Sequence, residues 1–291
     1  MNVVQAVILA AGRGTRLEPV TDHVLKPLIP FWGKPFLEYL LDVVEPVADE
    51  AIIVTPPDDR IPSALGTRHG RLPLRYAVQP TPLGTGDALL QAREMLEDSF
   101  LLLLGDTLPR RETLQGLIET SAQAVLTVIE VTDPENHVGV SLDEERRVIG
   151  LWTEAATVDA GVFRLGSAVL ASLSGQAPRG GELRILQGVA RMLEAKQDVR
   201  AVHMPGPWLQ FGDHEGLSGI MRVMHHLAEM QSIDAGPDAA SVMLKTRNCH
   251  IVNSLVFGPG SLTDCIIRDS LLYCAVDAAG LSMTNEIAAL V

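Results

Sequence analysis

The chain has 291 residues, 47% hydrophobic and 20% charged, a composition that suits a packed globular protein with one large domain and room for a smaller one. A formal net charge of −13 argues against non-specific nucleic-acid binding, so arginines clustered near the start read as a local cationic site in an acidic protein. The apolar start ends at Gly12 with no basic leader or small-residue cleavage site, and no run approaches a membrane span; a cytoplasmic protein with no membrane partner is expected.

Residues 7–11, Val-Ile-Leu-Ala-Ala, read as a buried parallel strand, and Gly12-Arg13-Gly14 then lets the backbone turn sharply. Amide N–H groups exposed by such a turn can cradle phosphate oxygens, with Arg13, Arg16 and Lys26 supplying positive charge. Two familiar phosphate motifs are excluded. A dinucleotide fingerprint needs a glycine where this chain has Leu17, and the Gly-Lys-Ser/Thr ending of an NTPase loop is absent.

Phe36–Val44 carries helical apolar spacing, 51–54 and 74–79 read as strands, 86–96 as a helix and 100–104 as a fully buried strand. Residues 114–118 form the middle of a helix and 124–131 a strand. Further strands are expected at 138–142, 148–152, 159–164, 199–203 and 208–211, with a helix over 182–195. The alternation predicts an α/β fold with a doubly wound, mixed but mostly parallel sheet.

A last helix over 213–230 leads into the turn-forming segment 232–238. Beyond it Ile251, Val256, Leu262, Ile267 and Leu272 recur at five- or six-residue steps with small or polar residues between. This predicts a small C-terminal left-handed parallel β-helix, the competing reading being an irregular β appendage. Three segments follow: a main domain 1–231, a linker 232–240 and a tail 241–291. Cys249, Cys265 and Cys274 lack metal-site spacing and read as buried free thiols. The neighbours His225 and His226 point in different directions on a helix and cannot share a metal, and His250 reads as a surface residue.

The run LAAGRGTRLEPVTDHVLKP, residues 9–27, resembles the signature of the sugar-1-phosphate nucleotidyltransferases, matching G-x-G-T-R-L-x-P-x-T from Gly12 to Thr21 with Lys26-Pro27 after it. The resemblance implies a Rossmann-like nucleotidyltransferase fold and a Mg²⁺-dependent enzyme whose substrates are a nucleoside triphosphate and a sugar 1-phosphate. It implies Arg16, Lys26 and Asp106 as catalytic residues. It implies Leu9, Ala10, Ala11, Gly12, Gly14, Thr15, Gln79, Gly84 and Thr85 around the nucleotide, and Gly139, Glu154 and Asp159 around the sugar. Mg²⁺ falls to Asp106, which should emerge at the carboxyl end of a central strand, and to Gln210.

The loop 79–86, Gln-Pro-Thr-Pro-Leu-Gly-Thr-Gly, looks most like the uridylyltransferase branch, which favours UTP, with dTTP next, and glucose 1-phosphate or N-acetylglucosamine 1-phosphate as acceptor. The chain departs from the family in three places: Glu154-Ala155-Ala156 stands for Glu-Lys-Pro, Asp159-Ala160-Gly161 for Asn-x-Gly, and Gln210 for an aspartate. Asp213, more simply a helix N-cap, is the alternative ligand. These departures motivate a second reading, a catalytically weakened regulatory homologue that binds nucleotide-sugars. Family habit implies a homo-oligomer.

Overall fold

The computed structural model describes residues 4–178, 180–211, 216–233, 236 and 239–291, and these fall into two compact units. One comprises residues up to 12 and 40–208; the other comprises 13–39 and 209–291.

In the first unit, strand Gln5–Leu9 pairs in parallel with Glu50–Thr55 on one side and Ser99–Leu104 on the other, and Leu72–Val78 continues the parallel set beyond Glu50–Thr55. Antiparallel strands extend the sheet past Ser99–Leu104: Thr157–Gly166, then Gly139–Leu142 and Val148–Thr153, with Ala124–Glu130 also pairing with Thr157–Gly166 and Val199–His203 lying parallel beside it. The sheet is therefore mixed around a parallel centre, as the alternating pattern predicts. Its central strands are apolar on both faces because both are covered: Val7, Ile52, Phe100 and Leu102 are at most 1% exposed, and so are their neighbours Ile8, Ile53, Leu101 and Leu103. Residues of the helices Thr85–Gln91, Ser167–Leu173 and Ile185–Glu194, among them Leu89, Val169, Leu173 and Val189, join the Val7, Ile52 and Leu102 face in one core.

Several boundaries differ from the sequence expectation for local reasons. Strand Gln5–Leu9 leaves the ladder before Ala10 and Ala11, although the Ala10 N–H still donates to Val54 O at 2.8 Å. The helix expected over 86–96 runs only Thr85–Gln91, followed by a tighter turn at Arg93–Met95. Helices Arg60–Leu65 and Ser167–Leu173 escaped the pattern, being under two turns long. Arg164 explains how one helix ends. Its guanidinium donates to the carbonyls of Leu117, Thr120 and Ala122 at 2.8–3.0 Å, satisfying orphan acceptors at the end of Arg111–Glu119, and burial holds its pKa below the usual arginine value.

The second unit contains the loop 13–39, helix Gly216–Met230 and a stack of short parallel strands from Ser241 onward. Most of the ladder is offset by sixteen residues: Leu255 pairs with Leu271 and Leu271 with Ile287, Ser261 with Asp277, His250 with Ile266 and Ile266 with Ser282. Each coil thus carries three short strands. Val256, Leu262, Ile267 and Leu272, four of the recurring residues, are at most 1% exposed and form the interior of the coils. Left-handed backbone at Asn248, Asp264 and Gly280 makes one column of corners, and Asn253, Asp269 and Asn285 make another. Asn and Asp tolerate that conformation, and here their side chains also bond along the column, Asn248 to Asp264 at 2.6 Å and Asn253 to Asp269 at 2.7 Å. Cys265 and Cys274 are buried free thiols as expected, whereas Cys249 is only partly buried. His225 bonds Asn253 at 2.8 Å, His226 lies 3.8 Å from Glu229, and His250 is exposed.

Candidate active site

In the first unit the chain order reverses between strands Gln5–Leu9 and Ser99–Leu104: the next strand after Gln5–Leu9 lies on one side of it, and Ser99–Leu104 on the other. Open α/β sheets bind ligands at the carboxyl ends of the strands flanking such a switch. Leu9 and Leu104, the last residues of the two strands, are register partners. Beyond Leu9 come Ala10, Ala11 and Gly12; beyond Leu104 come Gly105 and Asp106. The Gly105 N–H donates to Leu9 O at 2.9 Å, and a Cβ on Gly105 would lie 2.7 Å from that oxygen and 3.2 Å from Ala10 Cα. Only glycine lets these strand ends meet so closely, and Asp106 emerges directly after it, partly exposed. Gly12 is exposed, and a Cβ there would meet no described atom within 4 Å, so nothing in the fold itself demands glycine at that position.

The loop leading into helix Thr85–Gln91 is fastened at several points. Gln79 is 4% exposed; its Nε2 donates to Gly84 O at 3.1 Å and to Asp87 Oδ2 at 2.8 Å. Leu183 N–H donates to Leu83 O at 2.7 Å, Gly86 N–H donates to Leu183 O at 2.8 Å, and the Thr85 hydroxyl accepts from Ile185 N–H at 3.2 Å. Thr85, expected at the nucleotide, thus also ties down the start of helix Ile185–Glu194. From sequence Asp87 reads only as a candidate cap of helix Thr85–Gln91, not as a partner of Gln79, and Leu183 was missed because a backbone clasp leaves no residue signature.

Asp159 sits at a bulge where Thr157–Gly166 pairs with Ala124–Glu130. The buried Thr127 hydroxyl fills the bulge, donating to Val162 O at 2.8 Å and accepting from Val162 N–H at 3.2 Å. Gly161 has φ +79°, and a Cβ there would lie 2.8 Å from Leu104 Cδ1, so the bulge packs on the strand end that carries Asp106. Although one edge of Asp159 is accessible, burial pushes its carboxyl up to about 7, against the lowering effect of the Gly161 N–H, which donates to Oδ1 at 3.3 Å. The other two sugar-side residues differ in kind. Gly139 is buried, and a Cβ there would lie 2.1 Å from Thr153 O, so strand packing alone requires glycine; Glu154 is exposed in the connection after Val148–Thr153.

A testable consequence concerns pH. An acid whose folded pKa lies above its unfolded value of 3.8 favours the folded state while protonated, and that advantage is lost as pH rises from about 4 through about 7. Asp159→Asn should abolish this slope and stabilise the protein at pH 8 by roughly 2–4 kcal/mol relative to wild type. Denaturant melts from pH 4 to 8 that run parallel for the two proteins would refute the assignment.

The second unit holds the other expected residues. Gly14 has φ +70°, and a Cβ there would press at 3.0 Å on both Lys26 Cβ and Thr21 Cγ2, while the Thr21 hydroxyl donates to Gly14 O at 3.0 Å. The spacing of the signature therefore reflects a folded loop in which Gly14, Thr21 and Lys26 touch. Leu17 and Val20 are fully buried beneath it, and Arg13, Thr15 and Arg16 are exposed. Lys26 is 9% exposed, its ammonium 5.3 Å from the centroid of Phe211, which packs edge-on against Phe31 and Phe36. Gln210 is the residue before Phe211 in the chain, at the end of the short strand Leu209–Gln210. Asp213 lies outside the described residues. The loop also packs on later elements: His23 stacks on Tyr273 with centroids 5.3 Å apart, and the Trp32 backbone N–H donates to Ser241 Oγ at 2.9 Å.

The donor chemistry suits a hard divalent cation. Asp106 offers carboxylate oxygens and Gln210 an amide oxygen, and among the described residues no three His, Cys, Asp or Glu side chains gather as a metal group. Each is a hard oxygen donor of the kind Mg²⁺ accepts, and Mg²⁺ takes few carboxylates, filling its remaining positions with phosphate oxygens and water.

The first unit thus carries an aspartate at the switch point of an α/β sheet, and the second a glycine-rich loop with exposed arginines. The nucleotidyl transferase family matches residues 5–226, most of the chain, and the chain belongs to that family. Its relatives include a glucose-1-phosphate thymidylyltransferase of Streptomyces griseus, 27% identical over 97% of this chain and 89% of its own length, and one of Streptomyces antibioticus, 27% identical over 88% and 76%. The bifunctional protein GlmU of Methanococcus maripaludis is 27% identical over 71% of this chain, which spans only about half of that relative, 51%. No helix among the described residues is long and apolar enough to cross a membrane.

Proposed function

We propose that this chain joins a nucleoside triphosphate to a sugar 1-phosphate, releasing pyrophosphate, with UTP favoured over dTTP and glucose 1-phosphate or N-acetylglucosamine 1-phosphate as acceptor. The observation that carries the reading is the switch point: Leu9 and Leu104 in register, Gly105 closed onto Leu9 O, and Asp106 emerging there. The relatives named above support the sugar-phosphate substrate class.

In the reaction a phosphate oxygen of the sugar 1-phosphate attacks the α-phosphorus; that P–O bond forms as the bond to the bridging α–β oxygen breaks, and pyrophosphate departs with the electron pair. Little covalent chemistry falls to the protein, so its tasks are alignment and charge neutralisation. Backbone N–H groups after Gly12, with Arg16 and Lys26, hold triphosphate oxygens, and the Phe211 face keeps the Lys26 ammonium in place. Gln79, Gly84 and the strand end at Leu9–Ala10 border the base. Asp159 and Glu154 accept from sugar hydroxyls. Asp106, with the Gln210 carbonyl oxygen, would hold Mg²⁺, which neutralises phosphate charge. Residues 1–231 form the catalytic part in this reading, 232–240 a linker, and 241–291 a short left-handed β-helix, supported by the sixteen-residue offset and three strands per coil.

Pyrophosphate release over a panel of nucleoside triphosphates and sugar 1-phosphates, with and without Mg²⁺, tests the proposal. Turnover should be greatest with UTP or dTTP and vanish on chelation of the metal. Saturable nucleotide-sugar binding with no turnover for any pair would favour the regulatory reading instead.

A further inference from the structure

The Gln79 side chain has two N–H bonds to give and one carbonyl oxygen to accept with. Both N–H bonds are committed, to Gly84 O at 3.1 Å and to Asp87 Oδ2 at 2.8 Å. A peptide carbonyl and an ionised carboxylate only accept, so the amide cannot turn over without facing oxygen to oxygen on both sides. Asp87 is itself held: Gln91, one turn along the same helix, donates to its other oxygen Oδ1 at 3.4 Å, and Asp87 stands in the first turn of Thr85–Gln91, where the helix dipole favours a negative charge. Gln79 is anchored as well, its backbone N–H donating to Thr55 O at 2.9 Å. One atom of the side chain is left for a ligand, the acceptor Oε1.

We infer that Asp87 is a positioning residue that fixes the Gln79 amide so that it presents only an acceptor, and thereby sets the choice of base. This rests on the proposed function, which puts the base beside Gln79. Uracil and thymine carry hydrogen on N3 and can donate to Oε1. Cytosine has a lone pair at N3, which would face the carbonyl oxygen unfavourably. A free glutamine would not discriminate, since rotating the amide by a half-turn exchanges donor for acceptor. The carboxylate behind it makes the difference.

Equilibrium binding of UTP, dTTP and CTP by calorimetry, on wild type and Asp87→Asn, tests this directly, with pyrophosphate release measured alongside. Asparagine keeps the shape and offers either a donor or an acceptor, so the shorter of the two bonds no longer fixes the Gln79 amide and only Gly84 O, at 3.1 Å, still opposes its turning over. The UTP-to-CTP affinity ratio should be at least tenfold in wild type and fall at least tenfold in the variant, with the change in KM for UTP exceeding that in kcat and the melting temperature little moved. Asp87→Ala should relax the ratio in the same way and serves if the first variant folds poorly. A ratio unchanged in both variants, or equal binding of UTP and CTP by wild type, overturns the inference. Wild type that binds UTP over CTP through Asp87 yet releases no pyrophosphate would sink the catalytic reading alone.

Discussion

Asp106→Asn is expected to lower turnover by at least about 100-fold while leaving the fold unchanged. Removing one formal charge from a phosphate-transfer site withdraws transition-state stabilisation of several kcal/mol, and each 1.4 kcal/mol is about tenfold in rate. The fold should tolerate the change because Asp106 is partly exposed, asparagine keeps its shape, and the adjacent Thr107 hydroxyl, 3.3 Å from Oδ1, is a contact an amide oxygen can keep. The close approach of the strand ends belongs to Gly105, not to Asp106. Turnover under saturating substrates, a Mg²⁺ titration and a thermal melt measure the three parts separately. Loss of activity with an unchanged melting temperature and a weakened metal dependence is the expected pattern. Near wild-type turnover would remove Asp106 from the chemistry.

What the sequence disclosed about this protein depended on whether a feature leaves residues of one type at a fixed spacing. The glycine-rich loop did so because Gly14, Thr21 and Lys26 pack on one another, so that each constrains the others' identity. The central strands did so because burial on both faces makes them continuous apolar runs. The coils of the tail were legible as an apolar beat, but their period of sixteen is written more plainly in the corners, where Asn248, Asp264 and Gly280 and then Asn253, Asp269 and Asn285 adopt left-handed backbone. The clasp of Leu183 on the loop 83–86 was not legible at all, since it is made of backbone groups a hundred residues apart in the chain. Nor was the raised Asp159 carboxyl, because burial at a bulge depends on how strands from distant segments meet.

Gly84→Ala is expected to be strongly damaging, because it strikes that clasp. Gly84 has φ +104° and ψ 173°, a region open in practice only to glycine, and its substitution alone strains the backbone by about 1–3 kcal/mol. The added Cβ would also lie 2.4 Å from Leu183 O and 2.9 Å from Leu183 N, which are the acceptor and donor of the bonds to Gly86 and Leu83. Relief requires the two segments to part, which weakens bonds contributing about 0.5–1.5 kcal/mol each and frees the carbonyl that Gln79 donates to. Together these predict a loss of about 3–5 kcal/mol in denaturant melts, with nucleotide binding lost in the surviving folded fraction because the Gln79 loop is no longer held. Gly175→Ala is the control. Its φ of +76° carries backbone strain, but a Cβ there meets nothing described within 4 Å, so it should destabilise by about 1 kcal/mol and spare binding. Equal effects of the two substitutions would mean that strain, and not the Leu183 clasp, explains the glycine at position 84.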